Sequence, residues 1–181
     1  MAGIKEPIQD VLTKLRTIMV RSAEGYDVNL FSRIWNNQID RQDDGSGYVF
    51  PRPAAFVEVL NAVQYEIIGL GYREADICFR IHLIHDYYNG DDFEQDLVIF
   101  DLRDKILLSL SQYCPTSCGT LNCVREEQEY DHDNTYHYIL DFVCSFVDSK
   151  GSDFDEAKGL YVEETNTDND LNLDVEFNIP Q

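Results

Sequence analysis

The sequence predicts an α+β fold, with an antiparallel or mixed sheet of about five strands, two helices on one face and an acidic extended C-terminal arm. Two segments, residues 8–19 and 91–112, carry apolar residues at helical spacing. Several shorter segments alternate apolar and polar residues, as half-buried strands do. The composition changes at Asp148, so we predict an α+β core domain over residues 1–147 and an acidic arm over residues 148–181.

The first predicted helix covers residues 8–19. Its apolar face comprises Ile8, Val11, Leu12, Leu15, Ile18 and Met19. Pro7 suits the first turn, because the N–H that proline lacks would have no partner within the helix there. Residues 26–35 then alternate loosely, which predicts the first strand.

Two more strands are predicted in the middle of the chain, after a polar, glycine-containing loop at residues 40–47. Residues 54–60 form a short apolar segment that follows Pro51 and Pro53. Further along, an alternating segment predicts a half-buried strand with a clearly marked core face. The apolar residues of that face are Ile77, Phe79, Ile81 and Leu83.

The second predicted helix covers residues 91–112 and is apolar around most of its circumference. A helix of this kind must be covered on more than one side. The sheet can cover one side, and the first helix or another subunit must cover the other. We therefore predict that Ile99, Leu102 and Ile106 contribute to a subunit interface.

A hairpin is predicted after Pro115, with arms at residues 120–130 and 136–147. The polar residues 131–135 form the turn between them. The second arm has the clearest strand pattern in the chain. The side chains that should point to one face are Tyr136, Tyr138, Leu140, Phe142, Cys144 and Phe146.

The arm at residues 148–181 contains ten acidic and two basic residues, yet it ends in a strand pattern. Apolar residues alternate with polar ones at Leu171, Leu173, Val175, Phe177 and Ile179. Five such side chains need a sheet edge or a protein surface to cover them. We predict that they are buried in a subunit interface, although a strand that folds back on its own domain fits the same pattern.

The charge of the chain excludes several classes of function. There are 34 acidic against 14 basic residues, which gives a formal net charge of −20. Such a field repels nucleic-acid phosphates and anionic lipids, so we expect neither sequence-specific nucleic-acid binding nor membrane association. The N-terminus has no signal-peptide pattern, so we expect the protein to be made in a cytoplasm and not exported.

No catalytic, cofactor-binding or metal site is predicted. Cys114, Cys118 and Cys123 cluster ahead of His132 and His137, but their spacing does not fit the paired cysteines of a zinc site. An odd total of five cysteines in a chain without a signal peptide favours reduced thiols.

Two other motifs also fall short of a metal site. His82 and His85 lie three apart on a predicted strand, so their side chains should face opposite sides. The aspartate pairs that begin at Asp131 and Asp153 resemble the start of a calcium loop but lack its glycine.

The order of these elements resembles a protein family. An opening amphipathic helix is followed by a proline-led strand, Val-Phe-Pro-Arg-Pro-Ala-Ala-Phe-Val-Glu-Val, at residues 49–59. A long strand ending in His85-Asp86 and a helix of the type Phe93-x3-Leu97-x2-Phe100-x6-Leu107 come next, before the final hairpin. In residues 4–147 the chain is similar to tail-terminator-like and head–tail connector proteins of tailed bacteriophages, especially phages of gut Bacteroidetes, crAss-like phages among them.

The resemblance implies a structural subunit of a phage neck or tail ring. Its partners would be other copies of itself and the neighbouring portal, neck or tail proteins, and genomic DNA would only pass through. The protein would then be located in the virion, and acids such as Asp43 and Asp44 would line the DNA channel. The alternatives are a monomeric adaptor whose acidic arm binds a basic partner, and an enzyme with an unrecognised site.

Overall fold

The computed structural model of the chain describes residues 3–22, 25–39, 49–60, 64–69, 71–86, 97–129 and 135–150, together with the short strands at 154–155 and 160–161. Within these residues the fold is α+β, with two helices and a six-stranded mixed sheet. The α+β prediction is therefore confirmed. Neither helix has the length and apolar character needed to span a bilayer, as far as the described residues extend.

Helix α1 covers Lys5–Leu15, with Pro7 in its first turn, and helix α2 covers Val98–Leu110. The predicted first helix extended too far, to residue 19. Ile18 continues the helical spacing and is buried, but it lies in an extended segment after the helix. Its carbonyl accepts a hydrogen bond from the Leu30 N–H at 2.8 Å, so the chain turns out of the helix before residue 18.

The N-terminal strands are β1 (Met19–Arg21), β2 (Asp27–Asn29) and β3 (Phe31–Ile34). Strands β1 and β2 form a separate antiparallel pair, whereas β3 joins the main sheet. The single strand predicted over residues 26–35 is thus two strands that meet at Leu30. Alternation cannot show this, because the buried Leu30 fits either arrangement.

The main sheet is completed by β4 (Ala54–Leu60), β5 (Glu66–Gly69), β6 (Tyr72–Asp86), β7 (Asn122–Glu129) and β8 (Thr135–Asp148). The order is β3-β4-β6-β8-β7, with β5 also pairing with β6. Strands β3 and β4 are parallel, and the other pairs are antiparallel. The sheet has six strands, where about five were predicted.

Strands β6 and β8 form the centre of the sheet. They pair without interruption from Arg73 opposite Asp148 to Asp86 opposite Thr135. The predicted hairpin of β7 and β8 is confirmed, and β8 runs as far as Asp148. The first residue assigned to the acidic arm therefore still belongs to the sheet.

Both helices pack on one face of the sheet, as predicted. The core there contains Val11 and Leu15 of α1 and Leu102 and Ile106 of α2, all buried. The sheet side of this core comprises Ala55, Val57, Ile77, Phe79, Ile81, Leu83, Leu140, Phe142, Cys144 and Phe146. The opposite face carries a second, smaller cluster of Ile39, Phe50, Ala54, Phe56 and Ile84.

Only short pieces of the arm are described. Strands β9 (Phe154–Asp155) and β10 (Leu160–Tyr161) pair with each other in antiparallel orientation. The predicted strand at residues 171–179 lies outside the described residues, and so do the N-terminal residues of the second predicted helix, 91–96.

We predict that Phe79→Ala lowers the free energy of unfolding by about 3–5 kcal/mol, the usual cost of removing a buried phenylalanine ring. Phe79 is fully buried and faces Phe142 across the central strand pair. Urea denaturation measures the change. The control Val124→Ala, on an exposed residue of β7, should change the value by less than about 0.5 kcal/mol. A loss below about 1 kcal/mol for Phe79→Ala would contradict this core.

Candidate functional site

The structure places the predicted site residues in two groups. One group lies outside the described residues and comprises Leu171, Leu173, Val175, Phe177, Ile179, Asp43, Asp44 and His132. The other group, Ile99, Leu102 and Ile106 on helix α2, lies in the core of its own chain with at most 3% exposure. Assigning these three side chains to a subunit interface is therefore corrected, because the sheet and α1 already cover them.

Different residues of α2 and its N-cap are exposed: Leu97, Val98, Phe100 and Leu108. Leu108 is the clearest case, with 87% of its surface exposed. Phe100 is half covered by an edge-to-face contact with Tyr138 of β8. The sequence correctly predicted that α2 carries more apolar residues than the sheet can cover. The spacing of these residues could not show which of them point away from the sheet.

Strand β3 ends the sheet on one side, and a groove of about 840 Å³ runs beside it. Three arginines line this groove: Arg16, Arg33 and Arg52. Arg16 donates to the Ser32 carbonyl at 2.8 Å, and Arg52 forms an ion pair with Asp86 at 2.5 Å. In a chain with 14 basic residues against 34 acidic ones, this is a local concentration of positive charge.

Arg33 differs from the other two arginines of the groove. It is exposed, and its guanidinium lies 5.8 Å from the centre of the Phe31 ring. It forms no salt bridge with any residue that the structure describes. Its charge is therefore available to an acidic ligand.

A polar row crosses the sheet face opposite the helices. His82 on β6 and His137 on β8 are both buried, and His82 Nδ1 lies 2.9 Å from His137 Nε2. The strand register explains the contact, because His137 pairs with Ile84 and so lies one diagonal step from His82. The half-buried Trp35 covers the pair, with its ring stacked on His82 at 3.8 Å between centroids.

Each histidine also contacts a carboxylate through its other ring nitrogen. His82 Nε2 lies 3.0 Å from Glu58 Oε2 on β4, and His137 Nδ1 lies 2.5 Å from Glu129 Oε2 on β7. These four residues, Glu58, His82, His137 and Glu129, span four neighbouring strands and are called the histidine row below. Burial, with smaller contributions from His137 and Arg80, lowers the pKa of His82 to about 3, so this ring is neutral at pH 7.

The sequence did not indicate the histidine row. The sequence analysis predicted only that His82 and His85 face opposite sides of one strand, and the alternation of β6 does put these two on opposite faces. The Nδ1 of His85 contacts the Asp86 carbonyl at 3.0 Å instead. The partner of His82 is 55 residues away, and only the antiparallel pairing of β6 with β8 brings it near.

A buried ion pair lies beside the row. Arg80 donates from Nε and Nη2 to the two carboxylate oxygens of Asp141, at 2.8 and 3.0 Å. The Asp141 side chain is only 6% exposed. Its charge therefore depends on Arg80 for compensation.

The predicted cysteine cluster, Cys114, Cys118 and Cys123, does not form a common site in the structure. Cys118 is partly buried against the core cluster that contains Cys144, while Cys114 and Cys123 contact oxygen atoms of residues close to them in the sequence. His137 is engaged in the histidine row. No group of three or more potential metal ligands occurs among the residues that the structure describes.

Comparison with known proteins adds no family to these observations. No protein-family model matches the chain, and no curated protein is significantly similar to it. The resemblance of residues 4–147 to phage connector proteins thus stays a prediction from the sequence.

We predict that Arg80→Met lowers the free energy of unfolding by about 3 kcal/mol, because it leaves the buried Asp141 carboxylate without its cation. The double variant Arg80→Met with Asp141→Leu should recover most of that loss, and urea denaturation measures both. The control Arg125→Met, which breaks an exposed pair with Glu127, should cost less than about 1 kcal/mol. Equal losses for Arg80→Met and Arg125→Met would show that Asp141 is solvated.

Proposed function

We propose that this protein is a non-enzymatic structural subunit of a phage neck or tail ring, a tail-terminator-like connector that joins the portal or head to the tail. The observation that supports this most directly is the arginine-lined groove beside the edge strand β3. Arg33 has no salt bridge within the part of the chain that the structure describes, and a sheet edge next to such a charge suits an acidic strand from another chain. Rings need such a heterologous contact, in which one surface of a subunit binds a different surface of the next.

The segment at residues 171–179 has the chemistry that this groove requires. Its apolar side chains alternate with polar ones, among them Asp174 and Glu176. A strand of this pattern could add to β3 through main-chain hydrogen bonds while its acids approach Arg33. We propose that it comes from a neighbouring subunit, so that each arm holds the next copy in the ring.

The arm is long enough to reach a neighbour. The last residue of the sheet, Asp148, and residue 171 are separated by about 20 residues, which span up to roughly 70 Å when extended. The arm leaves the sheet beside the N-terminal part of α1, where the Lys150 ammonium is 3.5 Å from the Glu6 carboxylate. The groove lies near the other end of α1, at Arg16.

The exposed apolar residues of α2 would provide a second contact. Leu97, Val98, Phe100 and Leu108 lie on one helix and are open to solvent in the single chain. Stacking of this helix against an adjacent subunit or ring would remove them from water. Their burial would contribute free energy in proportion to the apolar area covered.

The negative charge of the chain suits passage of DNA. In this proposal Asp43 and Asp44 face the channel, where like charge prevents the counterion release that drives binding to phosphates. The genome would then slide through without being held.

A monomeric adaptor that binds a basic partner is the alternative, and the acidity of the arm favours it. The two proposals differ in the oligomeric state of the isolated protein. An adaptor stays monomeric, whereas a ring subunit assembles with itself or on its portal or tail partners.

We predict that Arg33→Glu weakens self-association at least tenfold, because it would oppose the acidic arm of the neighbouring copy. Mass photometry over a concentration series measures the assembly. Lys5→Glu is the matched control, since it makes the same charge change at an exposed position of α1 outside the groove. Equal effects of the two variants would assign the result to net charge and not to the groove.

We predict that deletion of residues 165–181 leaves the core domain folded but reduces assembly to the level of Arg33→Glu. Circular dichroism and urea denaturation report folding, and mass photometry reports assembly. An unfolded truncated protein would show that the terminal strand belongs to its own core. Assembly equal to that of the full chain would exclude the arm from the interface.

A further inference from the structure

The main-chain groups of strand β3 point in two directions, to β4 on one side and to the outer edge of the sheet on the other. Just after the strand, the Trp35 N–H donates to the Val57 carbonyl of β4 at 2.9 Å. Because the main-chain groups of successive residues in a strand point to alternate sides, Arg33 directs its groups at β4 as well. The N–H and C=O groups of Ser32 and Ile34 therefore point to the outer edge, where another strand would pair.

Side chains of the same chain already bind both outward carbonyls. Arg16 donates from Nη2 to the Ser32 carbonyl at 2.8 Å. Gln38 donates from Nε2 to the Ile34 carbonyl at 2.7 Å, and its Oε1 accepts a hydrogen bond from the Asn36 N–H at 2.7 Å. The Gln38 amide thus makes the two bonds that one residue of a parallel neighbouring strand would make. Arg16 and Gln38 are called the edge caps below.

The two edge caps are held in different ways. Gln38 is only 8% exposed, and Asn37, with a φ of 50°, makes the turn that brings it back to the strand. Arg16 is exposed, and it forms no salt bridge within the part of the chain that the structure describes. Its main chain is fixed by a bond from its N–H to the Leu12 carbonyl at 3.2 Å, so its side chain can move alone. Of the two caps, Arg16 is the one that an incoming strand can displace.

The free energy of this displacement depends on the charge of the incoming strand. The bond from the Arg16 guanidinium to the Ser32 carbonyl is charge-assisted, and such bonds are about twice as strong as those between neutral groups. A neutral strand replaces it with a neutral N–H and gives Arg16 no new acceptor. A strand with a carboxylate offers Arg16 a bidentate acceptor in the same groove. Only the acidic strand therefore satisfies the Ser32 carbonyl and Arg16 together.

We propose that Arg16 is the residue that makes the β3 edge selective for an acidic strand. In the single chain its guanidinium caps the Ser32 carbonyl and closes the edge. When residues 171–179 of a neighbouring copy enter, the guanidinium transfers to Asp174 or Glu176, and a main-chain N–H of the arm binds the Ser32 carbonyl. This inference rests on the proposed function, since the strand that enters is the arm of the next subunit.

The buried Gln38 cap keeps its two bonds in both states. The added pairing is therefore limited to the part of the edge around Ser32, and the side chains in the groove supply the rest of the contact. A neutral strand meets an edge on which both outward carbonyls are occupied. The caps thus protect β3 against non-specific strand addition, to which open sheet edges are prone.

Self-association of the full chain with a neutral arm tests the role of Arg16. The double change Asp174→Asn with Glu176→Gln keeps the shape of the arm and removes both acids of its terminal strand pattern. We expect this neutral-arm protein to self-associate about tenfold more weakly than the wild type, as measured by mass photometry over a concentration series. Adding Arg16→Met should recover about fivefold of that loss, because the Ser32 carbonyl is then uncapped.

The matched control is Arg33→Met in the same neutral-arm protein. It removes an equal charge from the same groove, but Arg33 does not cap the outer edge. We expect it to leave the self-association weak. Circular dichroism and urea denaturation report whether each variant is folded.

Two results would contradict the proposal, and they separate it from the proposed function. Equal self-association of the Arg16→Met and Arg33→Met variants, both weaker than the wild type, would overturn the role of Arg16 and leave the arm contact in place. A neutral-arm protein that assembles as well as the wild type, or a wild type that stays monomeric, would overturn the arm contact itself and the role of Arg16 with it.

Discussion

The uninterrupted antiparallel pairing of β6 with β8 is the constraint on which the rest of the structure depends. Its register puts Phe79 opposite Phe142 on the face that both helices cover. The same register brings His82 and His137 together on the opposite face. Because side chains alternate along a strand, a slip of one residue would bury the polar residues under the helices and expose the apolar ones.

The second face of the sheet shows how polar groups can be buried in a small domain. Here Arg80 and Asp141 compensate each other with two hydrogen bonds, and the histidines contact each other and two glutamates. Trp35, which follows the edge strand β3, stacks over the rings and limits access of water. Buried polar groups cost stability unless they are paired, so these contacts constrain the register of all four strands at once.

The distribution of charge over the sheet is the basis of the proposed assembly. The chain is strongly acidic, yet Arg16, Arg33 and Arg52 meet beside β3 at one end of the sheet. At the other end of the sheet, Glu126 of β7 has a cationic partner in Arg103 of α2. We therefore place the proposed ring contact, with its negatively charged strand, at the β3 edge.

The sequence by itself determined the α+β class, the two helices on one face and the β7–β8 hairpin, because each depends on local periodicity and burial. It also determined that His82 and His85 face opposite sides of their strand. Only the tertiary structure decided that α2 turns Ile106 inward and Leu108 outward, because a helix that is apolar all round does not specify its rotation. The histidine row depended on the tertiary structure for a related reason: its members are far apart in the chain, and the pairing of distant strands has no signature in either segment alone.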